Sequence, residues 1–352
     1  MLTPEENLEF SIFHPHAAEA FKSIEGGHFV HYTKAEIAQQ IIANREFWLR
    51  NARQMNDKSE LKHGFECLRQ ALQSDEASQI RDILRQLSSG HLDAFDAAWA
   101  KVSSTSHSII DETYIGSLGN FGRNARQLPD PEGLISHHEH GKLSMWRAYG
   151  PQDGAGLVFR ADPILEANGT VPLFSSHVVY SDADRFRKLL PKLREQIDAN
   201  REYVRQMASE RLFFRFLSVF CAAIVCTKHP IFQEEDEWRI VYWPKYMGAD
   251  EKTYASLKSE EVTLNEAPQK IYKISLRDTP SEQMSLNLPT LLDRVLIGPS
   301  RSPTTVINDL VKKLVQSGWP KAQAEKIIVN TEIPLVVDSS FSAAKLKETR
   351  KA

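Results

Sequence analysis

The 352-residue sequence is poor in several features that would assign it to a simple class. Its three cysteines, Cys67, Cys221 and Cys226, have no paired CxxC spacing, which argues against a disulfide framework or a zinc site. No phosphate-binding loop of the GxGxxG or GxxxxGK[ST] kind lies between a strand and a helix. The formal net charge is only −3, so the chain lacks the strong basic charge of a dedicated nucleic-acid binder.

Long hydrophobic runs are also scarce. The one long apolar stretch, residues 212–226, contains Arg215 and is shorter than the ~20 residues of a membrane helix. We therefore expect it to be a buried core helix that runs into a strand. The first twenty residues lack the basic and apolar regions of a secretory signal, so we expect a cytoplasmic protein with no membrane partner.

The pattern along the chain predicts an α+β fold. Short strands and irregular helices follow one another without a fixed repeat or a low-complexity linker. We predict a single domain over residues 28–340, with helical insertions near 58–105 and 183–220. Residues 1–27 would be an N-terminal extension and residues 341–352 a C-terminal tail.

The segment "EEDEWRIVYW" is the strongest candidate for chemistry. Glu235 and Glu237 alternate at the predicted head of a strand, so both carboxylates would point to one face. Such a pair suits a reaction through an oxocarbenium-like centre, where one carboxylate binds a sugar hydroxyl and the other orients the nucleophile. The alternative is that these residues only form ion pairs with Arg239 or Lys228.

The strand "HFVHYT" places His31 and Thr33 on one face and Tyr32 on the other. An imidazole and a hydroxyl on one face can hydrogen-bond a ribose and an amide. The alternative is a core histidine that donates to a backbone carbonyl.

Two other clusters have structural and functional interpretations. "SMWRAY" contains Ser144, Trp146 and Tyr149, whose aromatic rings either pack in the core or stack on a flat heterocycle. "MNDKSE" is best explained as a helix start, with Asp57 as the N-cap and Glu60 at the third position, as in a capping box.

The loop "HHEHGK" contains His137, His138 and His140. Adjacent histidines in a turn-rich segment, without a separate carboxylate-helix motif, predict a surface segment and no metal site.

The order of these blocks, from "HYT" and "MNDKSE" through "SMWRAYGPQDGAGLVF" to "EEDEWRIVYW", resembles a bacterial family catalogued as domain of unknown function 2971. The opening block is in turn similar to ADP-ribosyltransferases of the His-Tyr-Glu type. The resemblance implies an ADP-ribosyltransferase-like split β-sheet core with helical insertions. It also implies an enzyme that cleaves the nicotinamide glycosidic bond of NAD and transfers ADP-ribose to a macromolecular acceptor.

The resemblance assigns roles to matching residues. His31 would contact the adenosine-side ribose of NAD, and Thr33 would seat the nicotinamide amide. Glu237 would bind the 2'-hydroxyl of the nicotinamide ribose during bond cleavage, and Glu235 would help to choose the acceptor.

The remaining roles are less closely specified by the matching blocks. Either Tyr149 or Tyr32 would stack on the nicotinamide ring. Ser144 and Trp146 would line the cofactor site. Arg239 would hold the pyrophosphate or pair with the carboxylates.

A transferase of this kind would be a toxin or a phage-defence effector, with a protein or nucleic-acid acceptor and an antitoxin or defence-system partner. Three alternatives stay open: NAD hydrolysis with water as the acceptor, a catalytically silent ligand-sensing or interaction module, and NAD-dependent removal of a 2'-phosphate from RNA. The last would need a basic cluster, for which the candidates are Arg45, Arg50, Arg53 and Arg123.

Overall fold

The computed structural model describes residues 3–54, 59–123, 140–166, 173–244, 257–264, 266–278 and 286–333. These residues form many helices and a mixed, open sheet, which confirms the predicted α+β class. The chain divides into two compact units. Unit 1 comprises Met1–Phe29, Glu46–Arg123 and Arg160–Leu291, and unit 2 comprises Val30–Arg45, Asn124–Phe159 and Leu292–Ala352.

The strands and helices carry the following labels in chain order. The strands are β1 (Gly27–Lys34), β2 (Glu46–Asn51), β3 (Tyr114–Arg123), β4 (Gly154–Arg160), β5 (Leu173–His177), β6 (Val179–Tyr180), β7 (Thr227–Lys228), β8 (Glu237–Tyr242), β9 (Lys258–Leu264), β10 (Ala267–Ser275), β11 (Leu292–Ile297) and β12 (Ile328–Asn330). The α-helices are α1 (Pro4–Phe13), α2 (Pro15–Ile24), α3 (Ala35–Asn44), α4 (Glu60–Ala71), α5 (Asp75–Leu87), α6 (Ser89–Asp111), α7 (Leu143–Tyr149), α8 (Ala161–Glu166), α9 (Ala183–Phe186), α10 (Leu190–Ala199), α11 (Arg201–Gln206), α12 (Ser209–Val225), α13 (Leu288–Leu291), α14 (Pro303–Gln316) and α15 (Lys321–Ile327). Short 3₁₀ helices span Ala52–Gln54, Arg187–Leu189 and Pro230–Glu235.

The strands of unit 1 pair antiparallel in the order β9-β10-β2-β3-β8-β5. β6 and β7 form a separate parallel pair. Helices α4, α5, α6 and α12 contribute to one continuous hydrophobic core, whose members include Leu68, Ile80, Phe95 and Phe216.

Helix α12 is the apolar segment for which we predicted a core helix followed by a strand. It buries Phe216 and Phe220 and leads directly into β7. Gly64 of α4 lies against the Ile224 carbonyl of α12, and a Cβ at that position would overlap the carbonyl. Within the described ranges, no helix combines the length and the apolar composition that crossing a membrane requires.

The residues that precede β1 form two helices of unit 1. α1 begins with a capping box, in which the Thr3 side chain accepts from the Glu6 amide and the Glu6 carboxylate accepts from the Thr3 amide. Ile12 and Phe13, at the end of α1, are buried in the core of unit 1. These helices therefore belong to the packed structure of that unit.

In unit 2, β1 lies beside β4, β4 pairs antiparallel with β11, and β11 pairs in parallel with β12. The fully buried Trp146 of α7 lies against Gly298, where a Cβ would come within 2.5 Å of the indole ring. This position therefore needs glycine because the indole fills the space of a side chain.

Candidate functional site

Five charged side chains of unit 1 form a buried network, which we name the ion cluster: Glu60, Lys228, Glu235, Glu237 and Arg239. They come from the start of α4, the end of β7, the 3₁₀ helix before β8, and β8 itself. Three carboxylates therefore face two cations. Burying charged groups removes their hydration, and this cost is offset only when ion pairs and hydrogen bonds of good geometry replace the contacts with water.

Glu237 lies at the centre of the ion cluster, with a side chain that is 6% exposed. Its Oε1 accepts hydrogen bonds from Ser117 Oγ at 2.5 Å and from Arg239 Nε at 3.0 Å. Its Oε2 accepts from Lys228 Nζ at 3.0 Å and from Arg239 Nη2 at 3.1 Å. Four donors thus occupy the two carboxylate oxygens, which matches the acceptor capacity of an ionised carboxylate.

Arg239 connects this carboxylate to two other parts of unit 1. Its side chain is completely buried and also donates to the Glu60 carboxylate and to the Val225 carbonyl. Val225 is the last residue of α12, where carbonyl groups lack partners within the helix. Arg239 therefore links α4, α12 and β8.

The ion cluster sets the protonation of its members. Burial alone would raise the pKa of Glu237, but the charges of Arg239 and Lys228 and the hydrogen bonds lower it to about 2. Burial raises the pKa of Glu60, although Arg239 and Lys228 act in the opposite direction. Burial tends to lower the pKa values of Lys228 and Arg239, but the neighbouring carboxylates raise both. Glu237 is consequently ionised at neutral pH.

The predicted alternation of Glu235 and Glu237 along one strand is wrong. β8 begins at Glu237, Glu235 ends a 3₁₀ helix, and Asp236 between them has a left-handed backbone with φ 45°. The two carboxylates are still neighbours because Lys228 Nζ contacts both of them. The side chain of Glu235 is 20% exposed, so it is the more accessible of the pair.

The sequence interpretation also missed the part that Glu60 plays. The predicted N-cap is wrong, because α4 begins at Glu60 and its N-cap is Ser59, without a side-chain cap hydrogen bond. Asp57 and the neighbouring Asn56 lie outside the described residues. Glu60 instead turns into the protein, and the signal that could have revealed it is a carboxylate on the buried side of an amphipathic helix.

Unit 2 contains the other predicted site residues, and two of them are core aromatics. Tyr32 is 6% exposed, and its hydroxyl accepts a hydrogen bond from the Lys142 amide at 2.9 Å. Burial raises the pKa of Tyr32 to about 12. Its ring meets that of Trp146 edge-on at 4.9 Å, and the Trp146 indole donates to the His140 carbonyl at 2.7 Å. These rings are occupied by packing, which leaves Tyr149 as the candidate for stacking.

The remaining predicted residues of unit 2 are half-buried: His31, Thr33, Ser144 and Tyr149. In β1 the burial alternates, with Tyr32 inside and its two neighbours partly accessible. This agrees with the predicted faces of the strand. Their roles toward a ligand stay predictions.

The histidine loop and the arginine series complete the predicted candidates. His140 Nδ1 lies 3.1 Å from the Thr331 carbonyl, while His137 and His138 lie outside the described residues. Arg53 pairs with Asp111, and Arg50 donates to the Gln269 side chain. Across the part of the chain that the structure describes, no three His, Cys, Asp or Glu side chains are arranged to hold a metal ion.

Comparison with known protein families gives one finding. Residues 145–240 match a family described as Protein of unknown function (DUF2971). This segment includes most of the ion cluster and the stacking candidate Tyr149, but it excludes His31, Thr33 and Glu60. No curated protein and no solved structure matches the chain. The predicted family is thus supported over this segment, and the resemblance to ADP-ribosyltransferases stays a prediction.

Proposed function

We propose that the chain cleaves the nicotinamide glycosidic bond of NAD and transfers ADP-ribose to a macromolecular acceptor. The observation that carries this proposal is the buried carboxylate of Glu237, which accepts hydrogen bonds from Ser117, Lys228 and Arg239. A transition state with oxocarbenium character needs a fixed negative charge, and a carboxylate accepts a hydrogen bond from the ribose 2'-hydroxyl. The pKa of about 2 ensures this charge at neutral pH.

The environment of the pair supports different roles for the two glutamates. Glu237 is almost fully buried and accepts four hydrogen bonds, as expected for a residue that stabilises developing charge. Glu235 is more exposed and has fewer contacts among the described residues, so it can orient an acceptor group. The match of residues 145–240 to a family of unknown function leaves this chemistry open to experiment.

The proposal is argued from the residues of unit 1. The roles that the resemblance assigns to His31, Thr33 and Tyr149 of unit 2 stay predictions from the sequence. Tyr32 and Trp146 are left out because both rings are packed in the core of unit 2.

A second candidate function is a catalytically silent ligand-binding or interaction module, one of the alternatives left open by the sequence. It is favoured by the four hydrogen bonds that already occupy Glu237. A ribose hydroxyl would have to displace one of these donors, each of which is charged or strongly polar. In a silent module the ion cluster would only stabilise unit 1.

The deciding experiment measures nicotinamide release from NAD by the purified chain, with and without cell lysate. We expect release by the wild type and loss of at least about 10²-fold in Glu237→Gln, which keeps the shape of the side chain but removes its charge. The matched control is Glu261→Gln on the exposed face of β9, which should leave the rate unchanged. Circular dichroism of both variants tests whether they are folded.

The outcomes separate the candidates. Absence of release by the folded wild type, with lysate and without it, overturns the enzyme proposal and favours the silent module. Release that requires lysate supports transfer, whereas equal release in its absence supports hydrolysis. A Glu235→Ala variant that still hydrolyses NAD but no longer labels an acceptor would assign acceptor selection to Glu235.

A further inference from the structure

The hydrogen bonds on Glu237 fill the acceptor positions of its two carboxylate oxygens. One donor therefore has to move before this carboxylate accepts a hydrogen bond from a ligand hydroxyl. The three side chains that donate to Glu237 differ in burial and in their other contacts. These differences identify the donor that a ligand displaces at the lowest cost.

Two of the donors, Arg239 and Ser117, are closely bound to the structure around them. The Arg239 side chain has no exposed surface, and it also donates to the Glu60 carboxylate and to the Val225 carbonyl. Its displacement would leave buried acceptors unpaired, which is costly. Ser117 lies in β3 directly opposite Arg239 of β8, and its hydroxyl makes the shortest of the four hydrogen bonds, at 2.5 Å. Neither donor is therefore easily displaced.

Lys228 differs from both, because its long side chain comes from the two-residue strand β7 and is 9% exposed. Its Nζ also donates to the Glu235 carboxylate and lies 5.2 Å from the centre of the Phe232 ring. An ammonium group near an aromatic ring is stabilised by the electrons of that ring. Lys228 therefore keeps favourable contacts when it leaves Glu237. Glu237 stays neutralised, since Arg239 donates to both of its carboxylate oxygens.

We propose that Lys228 makes an autoinhibitory contact with Glu237: it withdraws from Oε2 when a ribose hydroxyl binds, and the hydroxyl donates to this oxygen in its place. This inference rests on the proposed function, which assigns the ribose 2'-hydroxyl to Glu237. The carboxylate loses one donor and gains another, while its ion pair with Arg239 persists. Lys228 acts on the substrate through Glu237 and thereby sets how tightly the substrate binds.

Steady-state kinetics of nicotinamide release by Lys228→Met test this proposal. Methionine is uncharged and cannot donate, so the ribose hydroxyl no longer has to displace a donor. We expect KM for NAD to fall at least about tenfold without a decrease in kcat, because the interaction is already gained when the substrate binds. The matched control is Lys321→Met, which removes a lysine that is 76% exposed and should leave both constants unchanged. A folded Lys228→Met whose KM is not lowered would overturn the proposal.

A second measurement uses the wild type alone and does not depend on the folding of a variant. It follows the nuclear magnetic resonance signal of the Lys228 ammonium group during titration with NAD. We expect NAD to shift this signal, and an NAD analogue without the 2'-hydroxyl of the nicotinamide ribose to leave it unchanged. A signal that NAD does not move, or that both compounds shift equally, would overturn the proposal.

The two measurements separate this inference from the proposed function. Nicotinamide release together with an unchanged Lys228 signal supports the enzyme and overturns the exchange of donors. A signal that only NAD shifts, without nicotinamide release in the presence or absence of lysate, overturns the enzyme and supports the exchange in a ligand-binding module.

Discussion

Replacement of Arg239 by methionine should destabilise unit 1 strongly, because this side chain has no exposed surface and contacts two buried carboxylates. The methionine side chain is similar in length to the aliphatic part of arginine, but it carries no charge and cannot neutralise Glu60 or Glu237. Lys228 would be the only remaining cation of the ion cluster, at 3.6 Å from Glu60 and 3.0 Å from Glu237. Removal of one partner from a buried ion pair costs about 3–5 kcal/mol, and we expect a loss in this range.

Urea unfolding at pH 7, followed by far-ultraviolet circular dichroism, measures the loss. The matched control is Arg85→Met, because Arg85 pairs with Asp82 on the surface and its side chain is 58% exposed. An exposed pair contributes at most about 1 kcal/mol, so this variant should resemble the wild type. Adding Glu60→Gln and Glu237→Gln to Arg239→Met should restore part of the stability, because the uncompensated charges are then gone. A loss no larger than that of Arg85→Met would refute the reasoning.

The remaining predictions concern Glu237, the packing of Trp146 and the hydroxyl of Tyr32. The pKa of Glu237 is about 2, below its ordinary 4.5, so ionised Glu237 stabilises the fold fully above about pH 4.5. In urea unfolding, the difference in the free energy of unfolding between wild type and Glu237→Gln should decrease as the pH falls from 4.5 toward 2. A difference that stays constant over this range would contradict the prediction. Gly298→Ala brings a methyl group within 2.5 Å of the Trp146 ring and should cost about 1–3 kcal/mol, an effect that should be absent in a Trp146→Leu background if the clash is its cause. Tyr32→Phe removes the acceptor of the Lys142 amide, so we expect a loss of about 1–2 kcal/mol in urea unfolding and faster hydrogen exchange at that amide; unchanged exchange would show that the hydrogen bond does not protect it.

The local features of the fold could be predicted from sequence because their signals are periodic. Alternation in "HFVHYT" predicted a buried Tyr32 between two partly accessible neighbours, and β1 has this pattern. The apolar run at residues 212–226 predicted a core helix that leads into a strand, as α12 and β7 show. The sequence also identified Glu235 and Glu237 as candidate carboxylates and Lys228 and Arg239 as their ion-pair partners.

Only the tertiary structure decided which of these groups meet. The sequence predicted only a role at a helix start for Glu60, but its side chain, at the beginning of α4, forms a buried ion pair with Arg239 of β8, which is far away along the chain. The relation of Glu235 to Glu237 depends on a left-handed Asp236, which a strand-like sequence pattern does not reveal. The sequence by itself determined the types of group and, in β1, the faces on which they lie, since backbone periodicity acts over a few residues. Tertiary structure determined the low pKa of Glu237, since charge pairing brings together segments that the sequence separates.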